Sequence, residues 1–308
     1  PVKKPTNINT TVSTPDNNIL TIANSPTDRG GVIVDEDDVI KRFLSLRAIG
    51  EFRMPRTEVE KKAFTWVEEK PGQEAEALQQ ILFLDIETVS SHAEFEQMST
   101  EWQALWADKT RFQRQDESPE EFYGKRAGIL AEFGKIVCIS CAFFTNQNGS
   151  WELRMKSFAS DDEAELLRDF ANLLERLPNF RLCAHNGKEF DFPYLSRRMI
   201  SLGVKMPGQL NNAGKKPWEI PHLDTLELWK FGDYKNYTSL KLLAALFDIP
   251  TPKDDIDGSM VGSVYWQEQD LDRIRIYCEK DVLTLAKVFL KITQVEHFSD
   301  FELVNNQG

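Results

Sequence analysis

The stretch 81–91, with the sequence ILFLDIETVSS, constrains the fold of this chain more than any other. Four apolar residues run into Asp85 and Glu87, and a short continuous apolar run that ends in polar residues is typical of a buried central strand. Side chains two apart on a strand share a face, so the two carboxylates point the same way. They would repel each other unless a divalent cation lay between them. The alternative is that both are solvated residues at a strand end.

Length and composition limit the class of protein. With 308 residues and 41% hydrophobic content, the chain is long enough for one large domain with an appendage, or for two small domains. The sequence contains no run of 18 apolar residues, so no membrane span is predicted. The first thirty residues lack a signal-peptide core. Pro1 in place of an initiator Met suggests a processed or trimmed product. Four cysteines do not make a disulfide scaffold, so we expect a cytoplasmic protein.

Charge is unevenly distributed along the chain. The net charge of −12 argues against a nucleic-acid partner, because Lys and Arg supply most affinity for phosphates. Residues 181–253, however, carry 11 Lys and Arg against 7 Asp and Glu, whereas the remainder carries 26 against 42. This local excess of positive charge indicates phosphate contact, although a chance fluctuation in solvated surface would look the same.

The pattern of composition predicts four segments. Residues 1–36 are rich in Thr, Asn, Ser and Pro and are expected to be a disordered tail. Residues 37–79 contain weak helical patterns and form a partly helical extension that packs on the domain or binds a protein partner. The main domain then covers 80–295, and 296–308 form a C-terminal tail.

Within the domain, a polar insertion at 89–134 follows the first strand and predicts two helices, the second starting at Ser118-Pro119. Its tryptophans favour plain packing over a cover on a substrate groove. Residues 136–145 and 151–158 flank Asn-Gln-Asn-Gly and predict an antiparallel hairpin. Cys138 and Cys141 resemble half of a zinc site, but they face opposite sides of a strand and favour buried packing.

The second half alternates helices and strands. Ser160 to Glu163 has the form of a capping box before a helix at 161–177, and a short strand follows at 180–185. Asp191 lies where a helix N-cap would be, and capping alone would explain it. A strand at 222–226 and a helix at 239–247 come next, with His222 and Asp224 more typical of structural residues than of ligands.

The last long helix, 271–291, places Tyr277 and Asp281 four residues apart on the same face as apolar residues. A buried carboxylate without a partner is costly, and a metal would compensate it. A Tyr–Asp contact at a solvated edge is the alternative.

This order of elements resembles the ribonuclease H-like fold of the DEDD (DnaQ-like) 3′-to-5′ exonucleases, an α/β fold with a mixed central sheet flanked by helices, here with a helical insertion after the first strand. Three motifs stand in the family's order: Asp85-x-Glu87, Asn186 with Phe190-Asp191, and Tyr277-x-x-x-Asp281. Ile276 in place of His indicates the tyrosine (DEDDy) branch. The chain is most similar to the bacterial group related to the proofreading domain of family-B DNA polymerases. Further similarity to that group lies in Glu132-Phe133-Gly134-Lys135-Ile136 and Ile256-Asp257-Gly258-Ser259.

The resemblance implies a metal-dependent exonuclease that releases nucleoside 5′-monophosphates from the 3′ ends of DNA, preferably single-stranded. Two divalent cations, Mg²⁺ or Mn²⁺, would be held by four carboxylates, those of Asp85, Glu87, Asp191 and Asp281. Tyr277 would orient the attacking water. Thr88, Asn186 and Phe190 are candidates for holding the terminal nucleotide, with Phe190 either stacking on a base or packing in the core.

Two other functions remain open from the sequence. The same carboxylates would serve an exoribonuclease, and a nucleic-acid-binding adaptor could keep the fold without turnover. The complete acidic set argues against the adaptor, because clustered negative charge near phosphates gains nothing in binding alone. Because no polymerase-sized region accompanies the domain, we expect any proofreading to act in trans.

Overall fold

The computed structural model describes residues 11–13, 19–21, 73–233, 237–250, 256–295 and 300–305. The chain divides into two compact units, Pro1–Arg56 and Thr57–Gly308. In the first, Thr11–Ser13 pairs antiparallel with Ile19–Thr21. The rest of the predicted tail, and the predicted extension as far as residue 72, lie outside the described residues. The domain boundaries around them stay predictions.

The second unit is built on a six-stranded mixed sheet. Its strands are β1 Ile81–Ser90, β2 Gly134–Gln147, β3 Ser150–Ala159, β4 Arg181–Ala184, β5 Leu223–Asp224 and β6 Phe301–Asn305. The strand order is β5-β4-β1-β2-β3-β6. β1 to β3 are antiparallel neighbours, whereas β4 and β5 run parallel to β1 on its other side. Three antiparallel strands followed by two parallel ones give the ribonuclease H-like fold, so the predicted fold class is confirmed.

Helices cover both faces of this sheet. The α-helices of six or more residues are α1 Gln73–Leu78, α2 Thr100–Thr110, α3 Pro119–Arg126, α4 Glu163–Arg176, α5 Asp191–Ser201, α6 Thr225–Lys230, α7 Leu240–Leu246 and α8 Leu271–Ile292. None of the helices in the described ranges has the length and apolar character needed to cross a bilayer.

The apolar run of β1 is buried on both sides, which explains why it is continuous rather than alternating. Leu82 and Leu84 pack into a cluster with residues of α4 and α5. Ile81 and Phe83 point to the opposite face, where α8 supplies Phe289 among others, 5.3 Å from Phe83 between ring centroids. β1 is therefore the central strand that the sequence predicts, and its position is fixed from both faces.

The insertion after β1 forms the two predicted helices, α2 and α3. Ser118 caps α3 and completes a capping box with Glu121. Trp106 is fully buried in a small separate core and donates its indole N–H to the carbonyl of Pro119 at 2.8 Å. Trp102 is half exposed and contacts Phe133. The insertion thus has its own core, as the packing interpretation predicts.

Three local details differ from the sequence predictions. The hairpin turn is two residues long, Asn148-Gly149, both with positive φ, because β2 and β3 continue pairing to Gln147 and Ser150. The side chain of Asp162, not of Ser160, caps α4 by accepting from the backbone N–H of Glu165. The strand predicted at 222–226 has only two residues, because Asp224 caps α6 directly.

Residues 301–305, assigned above to a C-terminal tail, instead form the edge strand β6. β6 pairs parallel with Trp151–Met155 of β3. Phe301 packs edge-to-face on Phe144, with 5.1 Å between ring centroids. Burial of this aromatic contact offsets the conformational entropy that residues 301–305 lose when they join the sheet.

Candidate metal centre

The strand β1 and the helix α8 bring three potential metal ligands together. Asp85, Glu87 and Cys278 each offer one ligand atom, and these atoms all lie within 4.8 Å of one another. Asp85 and Glu87 lie opposite Ser140 and Cys138 of β2, on one face of the sheet. A β-bulge between β1 and β2 follows at Glu87 and Thr88, where pairing shifts by one residue. Bulges of this kind re-aim side chains beside functional sites.

Asp191 reaches the centre from the N-terminus of α5. The helix begins at Asp191, and Phe190 occupies the N-cap position without a side-chain cap hydrogen bond. The predicted capping role is therefore not what holds Asp191 here. Asp191 is 3% exposed, and its charge acts on both Asp85 and Glu87. A carboxylate in the first turn also benefits from the positive end of the helix dipole.

Tyr277 and Asp281 come from α8, one turn apart. The charge of Asp281 acts on Asp85 and on Glu87, so this carboxylate belongs to the same group. Tyr277 is half-buried beside them. Burial raises the pKa of Tyr277, and the charges of Asp281, Glu87 and Asp85 raise it further, as does its hydrogen bond with Asp281. The phenol therefore stays protonated at neutral pH and keeps an O–H to donate.

Three acids of the centre, Asp85, Glu87 and Asp191, have a pKa above that of an ordinary carboxyl. Burial raises the pKa of Asp85 well above its usual value, and the charges of Asp191 and Asp281 raise it further. The pKa of Glu87 is raised in the same way, by burial first and then by Asp85 and Asp281. Burial raises the pKa of Asp191 to about 7, although hydrogen bonds from backbone N–H groups oppose the increase.

These residues fit divalent cations. Within the described ranges, neither Asp85 nor Glu87 nor Asp191 takes part in an ion pair. The carboxylates of Asp85 and Glu87 are close enough to share an ion, and hard oxygen donors suit Mg²⁺ or Mn²⁺. Buried negative charges that raise one another's pKa are stabilised when a cation binds between them. Among the residues that the structure describes, Asp85, Glu87 and Asp191 thus have no cationic side chain paired with them.

The three candidate substrate-binding residues lie around the centre. Thr88 directly follows Glu87 and is hydrogen-bonded to Tyr194. Phe190 directly precedes Asp191 and is half-buried, with its ring 5.4 Å from that of Tyr194 between centroids. Asn186 has a left-handed backbone, with φ of 63°, at the end of β4. Phe190 contacts the core on one side, so packing explains part of its burial.

Asp224 and His222 are structural, as the sequence suggests. The Asp224 carboxylate accepts from the backbone N–H groups of Asn186, Lys188 and Leu226, at 2.9, 3.1 and 2.9 Å. It therefore fixes the turn that carries Asn186. The ring of His222 accepts from the N–H of Leu182 and bonds to the carbonyl of Gln209. Burial lowers the pKa of His222 to about 4.

Several cations of the segment 181–253 are already engaged in ion pairs. Lys188 pairs with Glu227 at 2.6 Å, Lys205 with Glu175 at 3.0 Å, and Arg198 with Glu163. Glu227 belongs to the segment itself, whereas Glu175 and Glu163 lie outside it and compensate part of its net positive charge.

The sequence reasoning missed Cys278. Its thiol is fully buried and donates to Asp85, with Sγ 3.4 Å from the carbonyl oxygen and 3.6 Å from Oδ2. Cys278 lies four residues after the buried Ile274 and four before the buried Val282. This spacing marks Cys278 as core-facing, but only the docking of α8 on β1 shows that it meets Asp85.

Comparison with known proteins identifies the family of this chain. A family model described as "Predicted 3'-5' exonuclease related to the exonuclease domain of PolB" matches residues 129–305. No protein with a curated description matches the chain. Among solved structures, a family B DNA polymerase from the hyperthermophilic archaeon Pyrobaculum calidifontis is 16% identical, with a TM-score of 0.41. The match covers 68% of this chain and 24% of the polymerase.

The fold and the acidic centre define an α/β protein of the ribonuclease H-like class with a candidate metal site. More particularly, the chain belongs to the family of predicted 3′-5′ exonucleases related to the exonuclease domain of PolB. The matched residues contain Asp191, Tyr277 and Asp281. Asp85 and Glu87 lie before them, and the sheet brings these two acids to the others.

Proposed function

We propose that this protein is a metal-dependent 3′-to-5′ exonuclease that hydrolyses the terminal phosphodiester of single-stranded DNA and releases nucleoside 5′-monophosphates. One observation carries the proposal. Carboxylates from three separate elements, β1, α5 and α8, converge in one group, in which the charges of Asp191 and Asp281 raise the pKa of the buried Asp85 and Glu87. An arrangement that destabilises the protein without a cation is expected where cations are needed for chemistry.

In the proposed mechanism, the carboxylates of Asp85, Glu87, Asp191 and Asp281 would hold two cations, Mg²⁺ or Mn²⁺. Such cations would supply a water of lowered pKa and stabilisation of the departing 3′ oxygen. Tyr277 keeps its proton, so its hydroxyl can hydrogen-bond to the attacking water and orient it. No side chain of the centre needs to act as a nucleophile.

In this proposal, residues around the centre bind the terminal nucleotide of the strand. Thr88 and Asn186 offer polar groups on the β1 and β4 sides, and Phe190 offers a partly exposed ring for base stacking. The relation of the family to PolB favours DNA over RNA. In the same proposal, the protein works in the cytoplasm, where four free thiols stay reduced, and the N-terminal extension is available for a protein partner.

The test is digestion of 5′-labelled single-stranded DNA and RNA of one sequence, with Mg²⁺, Mn²⁺ or a chelator, resolved at single-nucleotide steps. We expect a ladder that shortens from the 3′ end only when metal is present, and faster digestion of DNA. A faster RNA ladder would reassign the protein as an exoribonuclease. Absence of a ladder under every metal, from folded protein that binds the strand, would favour the adaptor instead.

A further inference from the structure

Lys135 lies beside the acidic centre, on the same face of the sheet. It is paired across β1 and β2 with Val89, two residues after Glu87. Cross-strand partners share a face, and so do residues two apart on one strand. The extra residue of the bulge, Val137, belongs to β2, so β1 keeps its alternation between Glu87 and Val89. The backbone of Lys135 is therefore only about 7 Å along the strand direction from the level of Glu87.

The ammonium of Lys135 is half-buried, and a phenol rather than a carboxylate holds it. Its Nζ donates to the hydroxyl of Tyr265 at 2.6 Å, and that hydroxyl donates to Asp161 at 2.7 Å. Two of its three N–H donors thus have no partner among the residues that the structure describes. Burial lowers the pKa of Lys135, and the charges of Asp161 and Glu163 oppose this only in part. An anion that accepts from the two remaining donors would compensate the burial.

The two aromatic residues beside Lys135 come from an irregular part of the fold. Val264–Glu268 is a π-helix, a rare conformation that occurs frequently at functional sites. It presents Tyr265 to Lys135 and places the ring centroid of Trp266 5.2 Å from Nζ. The indole N–H of Trp266 donates to Ser90 at the end of β1, at 3.1 Å. Trp266 also packs on the cluster that joins α8 to β1, so the π-helix connects Lys135 to both elements that carry the acids.

The order of the strands indicates how a substrate would cross the centre. The candidate residues for the terminal nucleotide, Asn186 and Phe190, follow β4, which neighbours β1 on one side. Lys135 belongs to β2, which neighbours β1 on the other side. With the scissile phosphate at the carboxylates of β1 and the 3′ nucleotide on the β4 side, the preceding phosphates of the strand lie on the β2 side. Lys135 is thus on the path of the incoming strand.

We propose that the ammonium of Lys135 binds a backbone phosphate of the substrate strand, on the 5′ side of the scissile linkage. This inference rests on the proposed exonuclease function for its ligand, and it adds a contact outside the metal ligands. Tyr265 and Trp266 act as positioning residues, because they hold the ammonium without touching the strand. A phosphate contact carries no sequence information, so Lys135 would strengthen the binding of any sequence. The alternative is a structural lysine that only joins β2 to the π-helix.

The salt dependence of binding separates these two roles. Binding of a 5′-fluorescein single-stranded DNA to the full chain is measured by fluorescence anisotropy in chelator. Lys135→Met removes the charge and keeps an apolar stem. We expect it to reduce the slope of log affinity against log salt concentration by about 0.7, and to raise Kd about 5- to 10-fold at about 50 mM salt. Lys205→Gln, which changes an exposed lysine paired with Glu175, is the control and should keep the slope.

The phosphate that Lys135 contacts is found by neutralising one linkage at a time. A methylphosphonate linkage carries a methyl group in place of the charged oxygen. At the linkage that faces Lys135, neutralisation should weaken the binding of wild type but not of Lys135→Met, because both changes remove the same contact. The proposal places this linkage one or two positions on the 5′ side of the scissile one, since Lys135 is so close to Glu87 along the strand. Equal losses for both proteins at these positions would overturn it.

Charge and folding are tested on the same position. Lys135→Arg keeps a cation and should keep the salt slope of wild type, whereas an arginine variant with the slope of Lys135→Met would contradict a contact based on charge. Urea unfolding shows whether each variant is folded, and Lys135→Gln replaces the methionine variant if it is not. A lower free energy of unfolding with an unchanged slope would make Lys135 a structural lysine and overturn the proposal.

The outcome is distinguishable from that of the exonuclease proposal. A reduced slope in Lys135→Met, in a protein that gives no metal-dependent ladder, would refute the exonuclease and keep the phosphate contact. A metal-dependent ladder with an unchanged slope would keep the exonuclease and refute the phosphate contact.

Discussion

Glu163, Asp85 and Glu87 are all buried or half-buried carboxylates of one domain, but their surroundings differ. Glu163 has a cationic partner, whereas Asp85 and Glu87 lie beside other acids. Glu163, 7% exposed at the start of α4, accepts from the N–H of Ile136 and from two nitrogens of Arg198, at 2.8, 2.8 and 2.5 Å. Burial lowers the pKa of Arg198, but the hydrogen bond and charge of Glu163 outweigh this and raise it. Asp85 and Glu87 face other acids instead.

This contrast separates structural from functional burial. The carboxylate of Glu163 connects α4, α5 and β2 through Arg198 and the backbone N–H of Ile136. With these partners it needs no metal ion. A group of carboxylates that raise one another's pKa destabilises the protein until a cation arrives from solution. The contrast predicts that removing an acid harms stability in the first case and activity in the second.

The largest expected effect is on activity. Asp281→Ala should reduce the rate of 3′-end hydrolysis by about 10³-fold or more, because losing a metal ligand forfeits several kcal/mol of transition-state stabilisation. Asp272→Ala, an exposed acid on the same helix with an ion pair to Arg275, is the matched control and should keep its rate. Full activity of folded Asp281→Ala would remove this residue from the centre.

Next in size is a loss of stability at the compensated acid. Glu163→Gln should lower the free energy of unfolding by about 3 kcal/mol, because it leaves the partly buried guanidinium of Arg198 without its charge partner. Urea unfolding measures this. Glu175→Gln, on the same helix with an exposed pair to Lys205, should change stability by less than about 1 kcal/mol. Equal effects of the two variants would contradict the structural role of Glu163.

A smaller effect on rate is expected at Tyr277. Tyr277→Phe removes only the hydroxyl that would orient the attacking water, and a misplaced reactant lowers the rate by about 10- to 100-fold. Metal affinity, measured by calorimetry with Mn²⁺, should stay within a few-fold of wild type. A large loss of metal affinity would show that the hydroxyl supports the carboxylates rather than the water.

The smallest effect concerns stability against pH. The pKa of Asp191 rises from 3.8 in the unfolded chain to about 7 on folding, so the folded state binds more protons between these values. Its contribution to stability is therefore present at low pH and is lost as pH rises from about 4 to 7. In chelator, the gain in melting temperature of Asp191→Asn over wild type should grow from pH 5 to pH 8, by about 2–4 °C per kcal/mol.

Because Asp191→Asn is compared with wild type at each pH, the titration of His185 and His222, which both proteins share, cancels. Burial lowers the pKa of both, and their contribution to stability runs in the opposite direction. Saturating Mg²⁺ should stabilise wild type more at pH 8 than at pH 5, since metal displaces protons. A variant gain that shrinks with rising pH would contradict the raised pKa of Asp191.

Local patterns in the sequence are enough to predict the elements that carry the site. The apolar run before Asp85 predicts a central strand, because burial on both faces suits four consecutive apolar residues, and alternation then puts Asp85 and Glu87 on one face. The helical spacing of Tyr277 and Asp281 likewise places them together. These inferences use only local geometry, which is why they survive without knowledge of the rest of the chain.

Which of these elements lie in contact, and which other residues contact them, depends on the tertiary structure. The helical spacing of Cys278 predicts only that it is buried, not that it contacts a carboxylate. The packing of α8 on β1 places it beside Asp85. The hydrogen bonds of Asp224 to the turn at Asn186 span 38 residues, and β6 joins β3 across 150. Contacts of such separation depend on the whole topology, so no local pattern encodes them.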